Sequence, residues 1–141
     1  MQIVEVVRAL EHAVAAAAAS TEMISVYLFG SYSLGSAHRE SDVDLGVLLR
    51  RAHYPTARER FEAGLQLAVE LRPAIRREVD VVVLNDAPPL FARRIVTAGQ
   101  RVFCADPEAD HAFVRDVQLR AADVAPFLRR MQQLKLAAIA R

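Results

Sequence analysis

Three aspartates of this sequence stand where strands are expected to begin. Asp42 and Asp44 open the segment DVDLGVLL, and Asp80 lies near the start of the later segment EVDVVVLN. Side chains at positions i and i+2 of a strand share a face, so the first two carboxylates can converge on one hard cation. If the two strands pair, Asp80 joins them, and three such acids predict a two-magnesium site with metals roughly 3.5 to 4 Å apart. That site would bind nucleotide phosphates, with Asp80 as the candidate that accepts the proton of an attacking hydroxyl.

A Gly-Ser pair lies upstream of these acids. Gly30 and Ser31 follow the apolar segment SVYLF and predict a turn directly after a strand. A glycine lets a ligand approach the backbone, and a helical turn that begins at Ser31 would aim its donors at an anion such as phosphate. Gly35 would keep the opposite wall free of a side chain. The glycine spacing and the missing Lys-Ser or Lys-Thr exclude a Walker A loop.

Each motif also has an ordinary structural interpretation. Gly-Ser pairs are common in turns, and aspartates often occupy turns or solvated strand ends. The combination of the pair with three acids favours the catalytic interpretation. The histidines have no spacing that would gather them around zinc, and the arginine pairs are better explained as solvated edges than as a basic rim.

The elements that must position these residues follow from periodicity and punctuation. Apolar spacing predicts a helix over 3–19, strands over 25–29, 42–49 and 78–85, and a helix from Pro55 to Leu71 that stops at Pro73. A short helix follows, with Asp86 as its N-cap and Gly99 as its C-cap, and then a brief strand over 101–106. Residues 107–140 are helical, and Pro126 predicts either a kink or two consecutive helices. The apolar positions of this last segment are expected to pack on the domain's own sheet, with a partner-binding stripe as the alternative.

Length and composition limit the class of protein. The 141 residues predict a single α/β (α+β) domain, a small mixed sheet flanked by helices, with a core at about 24–106 and a helical segment at about 107–141. The net charge of +1 gives no general attraction to nucleic acid. No segment reads as a signal peptide or membrane span, and the only cysteine, Cys104, cannot form an internal disulfide. A cytoplasmic protein without nucleic-acid or membrane partners is therefore expected.

The spacing of Gly30-Ser31, Asp42-Val43-Asp44 and the later Asp80 resembles that of the polymerase-beta-type nucleotidyltransferase superfamily. The short chain looks like a minimal nucleotidyltransferase. The segment VDVVVLNDAPPLFARRIVTAGQRVFCAD is similar to the MntA-like adenylyltransferase antitoxins, which partner HEPN-domain ribonuclease toxins. The resemblance covers roughly residues 24–106.

This resemblance implies a polymerase-beta-like fold and a reaction. It implies that Gly30 and Ser31 hold phosphate, and that Asp42, Asp44 and Asp80 are the metal ligands and catalytic carboxylates. The cofactor would be Mg²⁺, in two ions, and the substrate ATP, whose AMP would pass to a tyrosine of a HEPN-domain toxin in a type VII toxin-antitoxin pair. Many relatives have an arginine where this chain has Leu34, and Arg39 is a candidate substitute for gripping the triphosphate.

Two other functions remain compatible with the sequence. One is a non-catalytic antitoxin that masks its toxin by binding, for which Leu34 is the only hint. The other is a small-molecule nucleotidyltransferase of the aminoglycoside type, although no second domain for such a substrate is evident.

Overall fold

A computed structural model describes residues 3–30 and 42–139 of the chain. Its elements, in chain order, are α1 (Ile3–Ala17), β1 (Met23–Phe29), β2 (Val43–Leu49), α2 (Ala57–Ile75), β3 (Val79–Val83), a one-turn 3-10 helix (Leu84–Asp86), α3 (Pro89–Ala98), β4 (Gln100–Cys104) and α4 (Pro107–Ile139).

The four described strands form one mixed sheet in the order β3-β2-β1-β4. β1 pairs antiparallel with both β2 and β4, whereas β2 and β3 run parallel and are connected through α2. The mixed sheet flanked by helices that the sequence predicts is confirmed.

Apolar side chains cover both faces of the sheet. Alternate residues of β2, including Val43, Leu45 and Val47, are buried with the apolar faces of α1 and α2. On the opposite face a smaller cluster joins the sheet to α3 and α4, through Tyr27, Leu48, Leu84, Ala92, Ile95 and Val117. Since side chains alternate along a strand, Asp44 belongs to this second face.

Helix α2 differs from its predicted boundaries at both ends. Pro55 precedes the helix, and Thr56 is the N-cap, whose hydroxyl accepts from the N–H of Glu59 at 3.1 Å. Pro73 lies inside the last turn instead of beyond it, and Arg76 caps the end of the helix in the left-handed conformation. Extending the helix past the proline buries Ile75 completely, which offsets the hydrogen bond that the proline removes.

The start of α3 also differs, because Asp86 is not its N-cap. Asp86 ends the 3-10 turn, and Pro88 occupies the cap position without a side-chain bond. The Asp86 carboxylate instead accepts from Nε and Nη2 of the buried Arg60 at 2.9 and 2.8 Å. This paired contact lowers the pKa of Asp86. The prediction of Gly99 as the C-cap is confirmed.

Helix α4 is one element through Pro126, so the alternative of two consecutive helices is wrong. Its first half packs on the sheet through Val117, as predicted, and Ala121 is also buried. Its second half exposes Leu128 and Met131, which the same prediction placed on the sheet. The proline is accommodated where the helix is largely exposed, since water can satisfy the carbonyl that loses its partner.

Candidate active site

Parallel pairing of β2 and β3 places two of the three predicted acids side by side. Asp44 lies in register with Asp80, one residue after the pair Val43 and Val79. Paired residues of neighbouring strands are about 5 Å apart and direct their side chains to the same face. The expectation that strand 78–85 lies beside strand 42–49 is therefore confirmed. Asp42 precedes β2 and is exposed, as is Asp80.

The other side of Asp44 is bounded by the end of β1. Phe29 pairs with Asp44, and the next residue, Gly30, has φ +74°. A Cβ atom added to Gly30 would lie 2.5 Å from Oδ2 of Asp44. The backbone of Gly30 thus lies against this carboxylate. The left-handed conformation favours glycine, and a Cβ atom at this position would displace the Asp44 carboxylate.

Asp44 carries the electrostatic strain of the site. Its half-buried carboxylate has a raised pKa, first because burial disfavours the charged form and then because Asp80 and Asp42 are negative. No positively charged side chain in the described part of the chain lowers this pKa. A positively charged ligand is what would relieve this repulsion.

The acids are not arranged as a finished coordination shell. Within residues 3–30 and 42–139, no three His, Cys, Asp or Glu side chains are placed to hold a metal ion. The donor chemistry nevertheless fits a hard divalent ion, because carboxylate oxygens are the ligands that Mg²⁺ prefers in proteins. The two-metal geometry stays a prediction.

Helix α3 forms an apolar wall next to the acids. Gly46 follows Asp44 on the same face, and a Cβ there would lie 2.8 Å from Cγ2 of Ile95. The glycine lets α3 pack directly on the sheet. Phe91 at the start of α3 contacts Phe29 edge to face, with ring centroids 5.9 Å apart.

A buried polar network fixes α4 on the sheet face that bears Asp44. The predictions from the sequence do not include this network. The Asp110 carboxylate accepts from the hydroxyls of Ser25 and Tyr27 at 2.6 and 2.8 Å, and from Nη1 of Arg101 at 2.9 Å. Burial, and then the hydrogen bond to Asp110, raises the pKa of Tyr27. Polar residues at alternate positions of an otherwise apolar strand were the available signal.

Three of the predicted nucleotide-binding residues, Ser31, Gly35 and Arg39, lie outside the described residues, as does Leu34. Cys104 is half-buried at the end of β4. None of the described helices is both long and apolar enough to cross a membrane.

Comparison with known proteins identifies the family. The model of the polymerase beta nucleotidyltransferase domain matches residues 11–108, a span that includes Gly30, Asp42, Asp44 and Asp80. The protein adenylyltransferase MntA of Shewanella oneidensis is 32% identical over 94 residues, which are 67% of this chain and 63% of that protein. The match therefore spans less than two thirds of the length of this curated relative.

Solved structures share the fold. A chain from a crystal structure of a toxin-antitoxin with AMP-PNP superposes with a TM-score of 0.65 at 24% identity, covering 93% of this chain and 98% of its own length. A chain from a complex of tri-AMPylated Shewanella oneidensis HEPN toxin with MNT antitoxin gives 0.61 at 20% identity, covering 96% and 99%. The family match includes the acids and the glycine that the geometry brings together, and the chain belongs to the polymerase beta nucleotidyltransferase family.

Proposed function

We propose that this chain is a cytoplasmic antitoxin that transfers AMP from Mg²⁺-bound ATP to a tyrosine hydroxyl of a HEPN-domain toxin and so neutralises it. Membership of the nucleotidyltransferase family and similarity to the adenylyltransferase MntA support the reaction. Fold matches to chains of toxin-antitoxin complexes, one of them with an AMPylated toxin, support the partner. The observation that carries the proposal is the register of Asp44 with Asp80 beside the backbone of Gly30.

The reaction needs a base that accepts the hydroxyl proton and a cation that compensates the negative charge of the phosphates. The tyrosine oxygen attacks the α-phosphorus of ATP. The bond between that phosphorus and the oxygen bridging to the β-phosphate breaks, and pyrophosphate leaves with that oxygen. Asp80 is exposed at the start of an edge strand, so an incoming hydroxyl has access to it as the proton acceptor. Asp42, Asp44 and Asp80 would hold Mg²⁺, which supplies charge stabilisation to the phosphates and the leaving group.

Nucleotide binding would depend on the Gly-Ser pair. Gly30 gives the triphosphate access to a backbone without a side chain. Ser31, Gly35 and Arg39 are proposed to complete the phosphate grip.

The test is AMP transfer to a purified HEPN toxin, followed by intact mass and by residual ribonuclease activity. We expect the toxin to gain the mass of AMP groups on tyrosine and to lose activity, and Asp44→Asn to abolish both effects. Asp116→Asn is the matched control, because Asp116 is exposed on α4 and pairs only with Arg120 among the described residues. Neutralisation without added mass would contradict the proposal and favour masking by binding.

A further inference from the structure

A groove runs along the outer edge of β3, directly after Asp80. Its volume is about 430 Å³, and apolar side chains from α2, β3 and the start of α3 line it, among them Phe61, Leu65 and Phe91. Residues 81–83 all line it, although Val81 and Val83 pack on the α2 side of the sheet and Val82 on the α3 side. A groove that touches both sides of a strand lies along the edge of that strand.

The backbone at this edge has N–H and C=O groups that no described residue pairs with. β3 is the outermost strand and pairs only with β2 among the described strands. The carbonyl of Glu78 accepts from the N–H of Val43, and bonding sides alternate along a strand, so the N–H and C=O of Val81 point away from β2. In the described part of the chain, no hydrogen bond reaches Val81 from that side. Such an edge is a template for another strand.

The lining selects for an apolar occupant. Among the described residues that line it, Asp86 alone is charged, and its carboxylate is already held by Arg60. Phe61 and Leu65 expose more than half of their surface, which is unfavourable in water.

The groove is continuous with the candidate active site at both of its walls. Val81 follows Asp80 along β3, and Phe91 contacts Phe29, the strand partner of Asp44. From this juxtaposition we infer that an extended, apolar segment of the partner protein binds here as an added β-strand and carries the acceptor hydroxyl to Asp80. The identity of the acceptor rests on the proposed function.

The added strand explains how a small domain selects its substrate. Main-chain hydrogen bonds give affinity in this binding mode, and pockets for alternate side chains give selectivity. A strand rises about 3.3 Å per residue. A tyrosine one to three positions along the added strand from the residues that pair with 81–83 therefore lies beside Asp80.

The first test compares Phe61→Ser with Val69→Ser in AMP transfer to the toxin. Both residues lie on α2 and are 61% and 63% exposed, but only Phe61 lines this groove. Serine leaves the charge unchanged near the acids. We expect Phe61→Ser to raise the KM for the toxin about tenfold, the effect of about 1.4 kcal/mol, with the KM for ATP unchanged and Val69→Ser equal to wild type. Equal kinetics for all three proteins, or a change confined to the KM for ATP, would overturn the inference.

The second test does not depend on transfer. Isotope-labelled protein carrying Asp42→Asn and Asp44→Asn is titrated with the peptide acetyl-Val-Thr-Val-Tyr-Val-Thr-Val-amide and with a copy N-methylated at alternate residues. We expect amide shifts at residues 81–83 with the first peptide only, because N-methylation removes the donors that pair with the edge. No shifts, shifts elsewhere, or equal binding of both peptides would refute the groove. If the wild type fails to modify the toxin, the proposed function fails, and this titration still decides the groove.

Discussion

Asp44 is the residue at which burial and charge oppose each other in the candidate site. Its folded-state pKa lies above the ordinary value of 3.8. A carboxyl with a raised pKa favours folding while it is protonated, and this contribution is lost as the pH rises through the folded-state value. Asp44→Asn should therefore match wild-type stability at pH 3 and exceed it at pH 7 without divalent ions. Urea unfolding at the two pH values measures this difference.

Magnesium gives the same residue a second readout. If the acids hold the ion, Mg²⁺ should raise the Tm of the wild type at pH 7, because a ligand that binds only the folded state stabilises it. It should leave the Tm of Asp44→Asn nearly unchanged. A stability difference that is independent of pH, or an equal response to Mg²⁺, would contradict the role assigned to this carboxylate.

Two substitutions at Gly30 separate the effect of backbone strain from the effect of displacing the Asp44 carboxylate. Gly30→Ala should cost about 1–2 kcal/mol of stability because φ is +74°. It should also remove activity, since its Cβ would meet Oδ2 of Asp44 at 2.5 Å. Gly30→Asn is the informative control: asparagine tolerates the left-handed conformation, so stability should largely return while activity stays lost. Urea unfolding and AMP transfer are compared, and recovery of activity in Gly30→Asn would show that the contact does not matter.

Among the elements, α4 depends on one buried acid in its first turn. Asp110 is 1% exposed and accepts hydrogen bonds from both neighbouring strands, through Tyr27 on β1 and Arg101 on β4. Asp110→Ala should lower the free energy of unfolding by about 3 kcal/mol, since a buried network loses its acceptor. Asp116→Ala, on the same helix in an exposed pair with Arg120, should cost no more than about 0.5 kcal/mol. Urea unfolding gives both values, and amide exchange over 107–121 should accelerate only in Asp110→Ala.

Local patterns predicted the elements and the acids, whereas distant partners escaped them. The sequence predicts Asp44 and Asp80 because each lies at the start of a strand, and parallel pairing of those strands suffices to bring them together. The Ser25 contact with Asp110 joins residues 85 positions apart, and the Arg60 contact with Asp86 joins residues 26 apart. No periodicity encodes such a pair. Local spacing therefore predicts a cap at Asp86, whereas the carboxylate binds the buried guanidinium of Arg60, which needs a charged partner.

At the scale of the whole molecule, α4 extends well beyond the sheet and the other helices that pack on it. Ala121 is the last buried residue of α4, and every described residue from 126 to 139 is exposed. The helical face that carries Val117 and Ala121 continues through Leu128 and Met131 into solvent. The first half of α4 thus belongs to the domain core, and the second half offers an apolar surface outside it.

Truncation after Ala125 tests this division. The shortened chain should keep its free energy of unfolding within about 1 kcal/mol, because exposed residues contribute little to the folded state. It should also bind less of an apolar dye and associate less with itself, since it lacks the exposed side chains of Phe127, Leu128, Met131, Leu134, Leu136 and Ile139. Urea unfolding, dye fluorescence and light scattering measure these three properties. A loss of several kcal/mol would mean that the second half of α4 stabilises the domain through contacts that its exposure does not predict.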